Sequence, residues 1–394
     1  MKIVKSRMTC ILARCKLIFI LVSAVKLLLI AWAPTYGDLF NWAEGANLAL
    51  GFLSAGRIPP LSATGVYGPL QLVLSPFFWL WTRLPVDHPS IHIIQVSSHS
   101  TLSAFSLIFL MRLPTFLSDI AIGVLIFKLV RQITGSEQRS KVGFLLWYVN
   151  PFNIFWIEVF GGMDVIPTLV LVMAVVLGMK QKWFNSGLSV AVATVLRLFP
   201  ILTFPFFMLA VKGRKARAYV PLLSGFLLPL LVGSIVLYIT GSATFVSVFN
   251  TPLAEYWVLD FLGFKLTNQY VRLVPVVLAV QFYIIVRYWK NPGLIQLVAV
   301  SLLALLVAYV YGGINHHFLW VVPFLTISVA INYDELWIFI VTFVTGSLYP
   351  FIFPIPAIPL LNQTIHFFDP LFAGAFYAAK TAYLIKINLK NIRP

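Results

Sequence analysis

The sequence predicts an all-α, polytopic membrane protein, and three observations carry this prediction. First, 60% of the 394 residues are hydrophobic and only 10% are charged, which is too much apolar surface for one water-soluble core. Second, apolar stretches long enough to cross a bilayer follow one another along the chain. Third, basic residues cluster in the short breaks on one side of these stretches, while acidic residues fall on the other side.

The apolar stretches predict about ten to thirteen transmembrane helices, since about 20 apolar residues are needed for one crossing. No internal repeat is evident, and no stretch has the composition of a soluble domain. We therefore expect residues 1–394 to form a single integral membrane domain. The predicted segments lie near residues 17–33, 66–82, 100–130, 142–158, 163–179, 184–211, 218–240, 271–289, 294–311, 316–331, 335–350 and 370–386.

The charge pattern predicts the topology. Five basic residues between Lys2 and Lys16 precede the first apolar segment, which places the N-terminus in the cytoplasm. When the predicted crossings are counted, the later basic clusters also fall on the cytoplasmic side, and so does the C-terminus. The net charge of +16 therefore indicates topology rather than nucleic-acid binding. The acidic residues of the predicted outer face are Asp38, Glu44, Glu158, Asp164, Glu255, Asp260 and Asp369.

Two regions leave the path of the chain open. Fewer than 30 residues separate Lys182 from Lys212, and Arg197 and two prolines interrupt them, so two full crossings do not fit. We expect a pair of half-length helices or a re-entrant hairpin there. The segments 66–82 and 100–113 either cross the bilayer twice or lie in its interface.

The first external loop, at about residues 35–65, is the most informative part of the chain. It extends to about residue 110 if the following segments are interfacial. Asp38 places a carboxylate at the membrane surface, Arg57 supplies a cation, and Tyr67 lies at the start of the next apolar segment. This combination suits chemistry on a lipid-linked polar substrate. Asp38 is also typical of a helix N-cap, and the two roles are compatible because capping occupies one oxygen.

Sugar transfer from a phosphate-linked donor is the reaction that one carboxylate can support. Phosphate is a good leaving group, so a base on the acceptor hydroxyl suffices, whereas glycoside hydrolysis usually needs two carboxylates. The departing phosphate needs cations, and arginine offers donors that match its oxygens. The candidate cations are Arg57, Arg197, Arg272, His316 and His317.

Arg197 is the sharpest of these candidates because it lies inside an apolar stretch, where a charge is expensive. The alternative is that its side chain extends from a helix end to the interface. Asp164 follows two glycines and either presents backbone N–H groups to a substrate or caps the next helix. His316 and His317 are adjacent, so they point in different directions and contact phosphate or sugar, or simply hydrogen-bond at the interface.

Asp119 lies well inside a predicted span, and intramembrane acids are candidates for functional sites. The alternative is that it pairs with Arg112, two turns earlier. We predict no metal-binding residues and no bound cofactor, and leave dependence on a divalent metal open.

With these residues the chain resembles the GT-C superfamily, the multispanning glycosyltransferases that use polyprenyl-phosphate sugars. It is most similar to the mannosyltransferase-like members related to the first mannosyltransferase of GPI-anchor assembly. The likeness covers most of the chain and rests on motifs in a common order. These are Asp38 after the first span, Gly56-Arg57-Ile58-Pro59, Tyr67-Gly68-Pro69-Leu70, Arg112-Leu113-Pro114, Leu117-Ser118-Asp119, Asn150-Pro151 and Gly161-Gly162-Met163-Asp164.

The resemblance implies a GT-C-like helical bundle with interfacial helices in the first external loop, and Asp38 as the base. It implies a polyprenyl- or dolichyl-phosphate hexose as donor, with mannose as the expected sugar, and a lipid-linked glycan or protein as acceptor. Transfer would occur on the extracytoplasmic or lumenal side with inversion. The chain departs from the family pattern where Leu39 and Phe40 follow Asp38 and where Gly162 replaces the usual Gln.

Two other classes of function remain alternatives. A multispanning transporter or lipid flippase would use Asp119, Arg197 and Asp164 as charges along a substrate path. A noncatalytic scaffold subunit of a membrane glycosylation complex would need Asp38 only as a helix cap.

Overall fold

The computed structural model describes residues 2–32, 37–57, 68–97, 101–197, 199–211, 219–239 and 319–331, together with residues 336 and 340. Every regular element in these ranges is a helix, which confirms the predicted all-α class. Tyr67, Arg272, His316 and His317 lie outside the described residues, as do the predicted segments 271–289, 294–311 and 370–386.

The helices of the N-terminal half are α1 Lys2–Trp32, α2 Gly37–Ser54, α3 Gly68–Trp81, α4 Ile91–Ser97, α5 Leu102–Thr134 and α6 Glu137–Tyr148. They continue with the short α7 Pro151–Asn153, a π-helix at Ile154–Val159, α8 Val165–Met179, α9 Trp183–Leu196, a 3₁₀ turn at Phe199–Thr203, α10 Phe204–Val211, α11 Tyr219–Ile239 and α12 Val322–Ile331.

Two stretches of helix in the described part of the chain are long and apolar enough to cross a membrane. They are Leu102–Thr134 and Glu137–Val159, which contains α6, α7 and the π-helix. Shorter apolar helical stretches, of 10 to 17 residues, are Leu70–Trp81, Val165–Met179, Trp183–Leu196, Tyr219–Val232 and Val322–Ile331. The ten to thirteen crossings expected from hydropathy therefore stay a prediction.

The expected first external loop is largely an 18-residue helix, α2. Helix α2 begins at Gly37 and its first turn includes Asp38, whose capping role stays a prediction. Acidic residues in the first turn of a helix are favoured by the helix dipole. Leu39, Phe40 and Trp42 are buried in the common core, so packing fixes the start of α2.

Helix α3 addresses the choice left open for residues 66–82. It has 14 residues, with Pro76 inside, and is therefore about 21 Å long. A bilayer core is ~30 Å thick. A helix of this length does not cross by itself, which favours the interfacial alternative for this segment. Helix α5, with 33 residues, is about 50 Å long and runs through Pro114 without a break.

The segment 184–211 is broken as predicted. Helix α9 ends at Leu196, Arg197 is extended with φ −154° and ψ 135°, and a 3₁₀ turn precedes the eight-residue α10. Pro200 explains part of the break, because it has no N–H to donate to the Leu196 carbonyl four residues earlier and so cannot continue α9. Pro205 is tolerated because it occupies the first turn of α10. The break leaves Arg197 at the end of α9.

Helices α9 and α11 pack backbone to backbone through two glycines. A Cβ atom at Gly187 would overlap the Leu222 carbonyl oxygen, and one at Gly225 would overlap the Phe184 carbonyl oxygen. Small residues allow this close approach, which is a common way for helices to associate in membranes.

Gly187→Ala is expected to destabilise the protein by about 1 to 3 kcal/mol, because backbone atoms of α11 cannot move aside as a side chain could. The matched control is Gly51→Ala, on an exposed part of α2 where a Cβ atom meets nothing within 4 Å. That change should be neutral or stabilise by about 0.5 to 1 kcal/mol. Thermal unfolding in detergent measures both variants, and equal melting temperatures would contradict the packing.

Candidate functional site

The candidate site is built around an ion pair between two residues that the sequence analysis singled out. The Arg197 Nε donates to Asp164 Oδ1 at 2.6 Å. The Asp164 side chain is only 2% exposed and that of Arg197 10%, so the pair lies at the edge of the buried core. Arg197 therefore does not simply extend to the surface. Its position in the broken helix is explained by a buried partner 33 residues earlier in the chain.

The loop that carries Asp164 depends on its two glycines. Gly161 has φ +76°, a left-handed conformation that favours glycine. At Gly162 a Cβ atom would lie 2.6 Å from the Trp156 carbonyl oxygen, which accepts the Gly162 N–H at 2.8 Å. Asp164 immediately precedes α8, yet its side chain makes no capping hydrogen bond. Asp164 therefore occupies the N-cap position that the sequence analysis considered, but its carboxylate turns to Arg197 and not to the backbone of α8.

The glycine loop lies against the beginning of α2. A Cβ atom at Gly161 would lie 3.7 Å from Leu39 Cδ1 and 3.4 Å from Arg112 Nε. Since Leu39 follows Asp38 in the first turn of α2, the structure brings the start of that helix to the loop that carries Asp164. Three segments that are far apart in sequence therefore meet at Gly161.

Arg112 joins the end of α1 to the end of the π-helix. It is completely buried, and its terminal nitrogens donate to the Val159 carbonyl oxygen at 2.9 Å and to the Ile30 carbonyl oxygen at 3.4 Å. Ile30 lies in the last turn of α1 and Val159 ends the π-helix, so one guanidinium satisfies carbonyls at two helix ends. The sequence analysis considered Arg112 only as a partner for Asp119 and missed this role.

A fourth segment reaches the same loop. A Cβ atom at Gly162 would lie 3.6 Å from Leu319 Cδ1, and Leu319 and Trp320 are buried. His316 and His317 precede Leu319 closely in the chain but lie outside the described residues, as Tyr67 does. Their predicted contact with phosphate or sugar stays a prediction.

Arg57 does not share the surroundings of Asp38. It follows the C-terminal end of α2 and is exposed, roughly 25 Å from the first turn of that helix. The expectation that the acid and this cation belong to one local site is wrong, because the intervening residues form a continuous helix rather than a folded loop. Of the candidate cations among the described residues, Arg197 is the one next to the Gly161–Asp164 loop.

A second cluster of charges lies deeper in the bundle. The Lys26 Nζ is 2.6 Å from Asp119 Oδ2 and 3.1 Å from Glu158 Oε1, and none of the three side chains is exposed. Asp119 thus pairs with Lys26 and not with Arg112 as its alternative role assumed. Glu158 is buried instead of lying on the outer face. The sequence analysis missed Lys26, although a lysine inside an apolar segment is itself a signal.

The charged site offers a guanidinium, a buried carboxylate and the dipole end of a helix within one region, and these are the groups that recognise anionic substrates. Within the ranges that the structure describes, no group of three or more His, Cys, Asp or Glu residues is placed to hold a metal ion. Comparisons with protein-family models, with curated proteins and with solved structures found no match. The functional proposal therefore depends on the residues of the site and on the sequence pattern.

Proposed function

We propose that the protein is a multi-pass membrane glycosyltransferase. It transfers a hexose, with mannose as the expected sugar, from a polyprenyl- or dolichyl-phosphate donor to a lipid-linked glycan or protein acceptor on the extracytoplasmic or lumenal side. The observation that supports this proposal best is the meeting of the first turn of α2, which contains Asp38, with the Gly161–Asp164 loop and its partner Arg197.

The proposed reaction needs one base and one cation. Asp38 takes the proton of the acceptor hydroxyl, whose oxygen attacks the anomeric carbon from the face opposite the phosphate. The bond between the anomeric carbon and the phosphate oxygen breaks, and its electron pair leaves with the phosphate. Attack from the opposite face inverts the anomeric centre. Arg197 stabilises the charge that develops on the leaving group, because a guanidinium matches phosphate oxygens.

Asp164 orients Arg197 in this mechanism. The hydrogen bond from Nε to the buried carboxylate fixes the direction of the guanidinium. The ion pair also neutralises two charges near the core, where an isolated charge is expensive. Asp164 is therefore a positioning residue, and Arg197 is the residue that meets the donor phosphate.

Exposed apolar surface supports placement in a membrane. Large aliphatic residues are more than half-exposed along α1 and α11, which a water-soluble protein would bury or avoid over so long a stretch. The same surface suits contact with lipid chains and with a polyprenyl donor. These residues are Leu17, Ile20, Leu21, Leu28, Val220, Leu228, Leu231 and Ile235.

Transfer of radiolabel from a polyprenyl-phosphate hexose in isolated membranes tests the proposed function. Membranes that contain the protein should form a labelled lipid-linked or protein-linked product, and matched membranes without it should not. Absence of transfer from both mannose and glucose donors, with added lipid or protein acceptors, would contradict the proposal.

The proposed topology predicts which side of the membrane each loop faces. In a variant whose Cys10 and Cys15 are replaced by serine, Asn47→Cys on an exposed part of α2 should react with an impermeant thiol reagent from outside. Gln138→Cys, exposed at the start of α6 between basic residues, should react only after permeabilisation. The reverse pattern would place Asp38 in the cytoplasm and would contradict the whole mechanism.

Transport is the second candidate function, and the buried Lys26, Asp119 and Glu158 cluster favours it. Charged residues inside a helical bundle often lie on proton or ion pathways. A transporter would move a solute or lipid across vesicle membranes without forming a labelled glycan, so the radiolabel assay separates the two. A scaffold subunit would do neither.

A further inference from the structure

The cluster of Lys26, Asp119 and Glu158 joins three elements of the bundle. Lys26 lies in α1, Asp119 in α5 and Glu158 in the π-helix, and all three side chains are fully buried. Tyr148 of α6 covers the lysine, with Nζ 4.2 Å from the ring centre, and the Tyr148 hydroxyl bonds to Ser23 at 2.8 Å. The Trp147 Nε1 donates to the Asp119 backbone oxygen at 3.0 Å. The cluster is thus closed off by packed side chains.

The formal charges of this cluster do not balance. Fully ionised, two carboxylates and one ammonium carry a net charge of −1. Among the described residues, Lys26 alone forms ion pairs with either carboxylate. An uncompensated charge without contact with water is strongly unfavourable, and proteins avoid it by neutralising a group or by binding a counter-ion.

The carboxylate oxygens of this cluster also lack hydrogen-bond donors. Within the described part of the chain, Asp119 Oδ1 and both Glu158 carboxylate oxygens have no hydrogen-bond partner of suitable geometry. One oxygen of each carboxyl group contacts the same ammonium, at 2.6 and 3.1 Å, so the two carboxyl groups are neighbours around one cation. Ionised carboxylates only accept hydrogen bonds, so two of them cannot bond to each other. A proton on one of them gives that carboxyl group a donor and removes one of the two negative charges.

We propose that Lys26, Asp119 and Glu158 form a buried proton-binding site in which one proton is shared between the two carboxyl groups. One of the two is then a neutral carboxylic acid, Lys26 stays an ammonium, and the net charge is zero. Loss of the proton returns the cluster to −1. The ammonium at 2.6 and 3.1 Å disfavours a metal cation as the ligand of this site. This inference is independent of the proposed glycosyltransferase activity.

The position of Glu158 is consistent with a functional site. The π-helix at Ile154–Val159 contains one extra residue per turn compared with an α-helix, and such turns occur often at functional sites. It continues the long Glu137–Val159 stretch and ends at the carbonyl that Arg112 binds. Glu158 of the proton site and the carbonyl that Arg112 binds are therefore neighbours at the end of one short helix.

Infrared spectroscopy of the full-length protein in nanodiscs tests the proposal. A protonated carboxylic acid has a carbonyl stretch that ionised carboxylates lack, and the band shifts in heavy water. The wild-type protein should show this band at neutral pH. Glu158→Gln and Asp119→Asn should each abolish it, because one carboxylate with one ammonium is neutral without a proton. Lys26→Met should about double it, because both carboxyls then need protons.

The matched control is Glu137→Gln, which removes a partly exposed carboxylate paired with Lys141 and should leave the band unchanged. The proposal would be overturned if the wild-type protein lacked the band, or if the band survived both Glu158→Gln and Asp119→Asn. If one of these two variants fails to fold, the other tests the same proton.

Discussion

Asp38→Asn is expected to lower the rate of sugar transfer by about 10²- to 10⁴-fold, the usual contribution of a general base. The amide keeps the size and polarity of the side chain but cannot take the proton of the acceptor. The change also removes a negative charge from the first turn of α2, which costs about 0.3 to 1 kcal/mol. A loss of 10²- to 10⁴-fold corresponds to about 3 to 5 kcal/mol, so the chemical effect should exceed the structural one.

Glu44→Gln is the matched control for this prediction. Glu44 lies on an exposed position of the same helix, so the variant makes the same chemical change without touching the first turn. It should retain nearly full activity, and both variants should elute as the wild-type protein does in size-exclusion chromatography. Wild-type turnover by the Asp38→Asn variant would reduce the role of Asp38 to stabilising the start of α2.

The local features of the fold follow from the sequence. Hydropathy predicts helices throughout, and the described residues are helical. The break near Arg197 is predicted because prolines and a charge interrupt an apolar stretch too short for two crossings, and the structure breaks there into α9 and α10. These features depend on residues close in the chain, whose effects on the backbone are local.

The partners of the charged residues do not follow from the sequence. Asp164 has the position of a helix cap, yet its carboxylate turns to Arg197. Asp119 has a possible partner on its own helix, but its ion pair joins it to Lys26, 93 residues away. Such pairs depend on which helix faces meet, and hydropathy leaves that undetermined. A charge inside an apolar segment can be found from sequence, but its partner cannot.

The Asp164–Arg197 pair changes how the role of Arg197 must be tested. Arg197→Ala leaves the Asp164 carboxylate, 2% exposed, without its cation. Breaking a buried ion pair in this way costs about 3 to 5 kcal/mol, so loss of activity in that variant would mix unfolding with loss of substrate binding. Arg197→Lys keeps the charge and Asp164→Asn keeps the size of the side chain, so these two variants separate loss of stability from loss of substrate binding.

Arg197→Lys should raise the donor concentration needed for half-maximal transfer by about 10- to 100-fold, because one charged hydrogen bond contributes about 1.5 to 3 kcal/mol and lysine lacks the planar fork. The acceptor dependence should stay near that of the wild-type protein. The measurement is the transfer rate in nanodiscs against the concentration of polyprenyl-phosphate sugar, with melting temperature recorded for each variant.

Asp164→Asn distinguishes a phosphate ligand from a structural cation. It keeps the guanidinium, and the asparagine oxygen can still accept from Nε, so Arg197 stays oriented while its anionic partner is removed. If Arg197 meets the phosphate, donor affinity in Asp164→Asn should be unchanged or higher while Arg197→Lys loses affinity. If Arg197 serves only to neutralise Asp164, both variants should be less stable than the wild-type protein and should have its donor affinity. Equal donor dependence in the two variants would move the search for the phosphate site to His316 and His317, which precede the buried Leu319 beside Gly162.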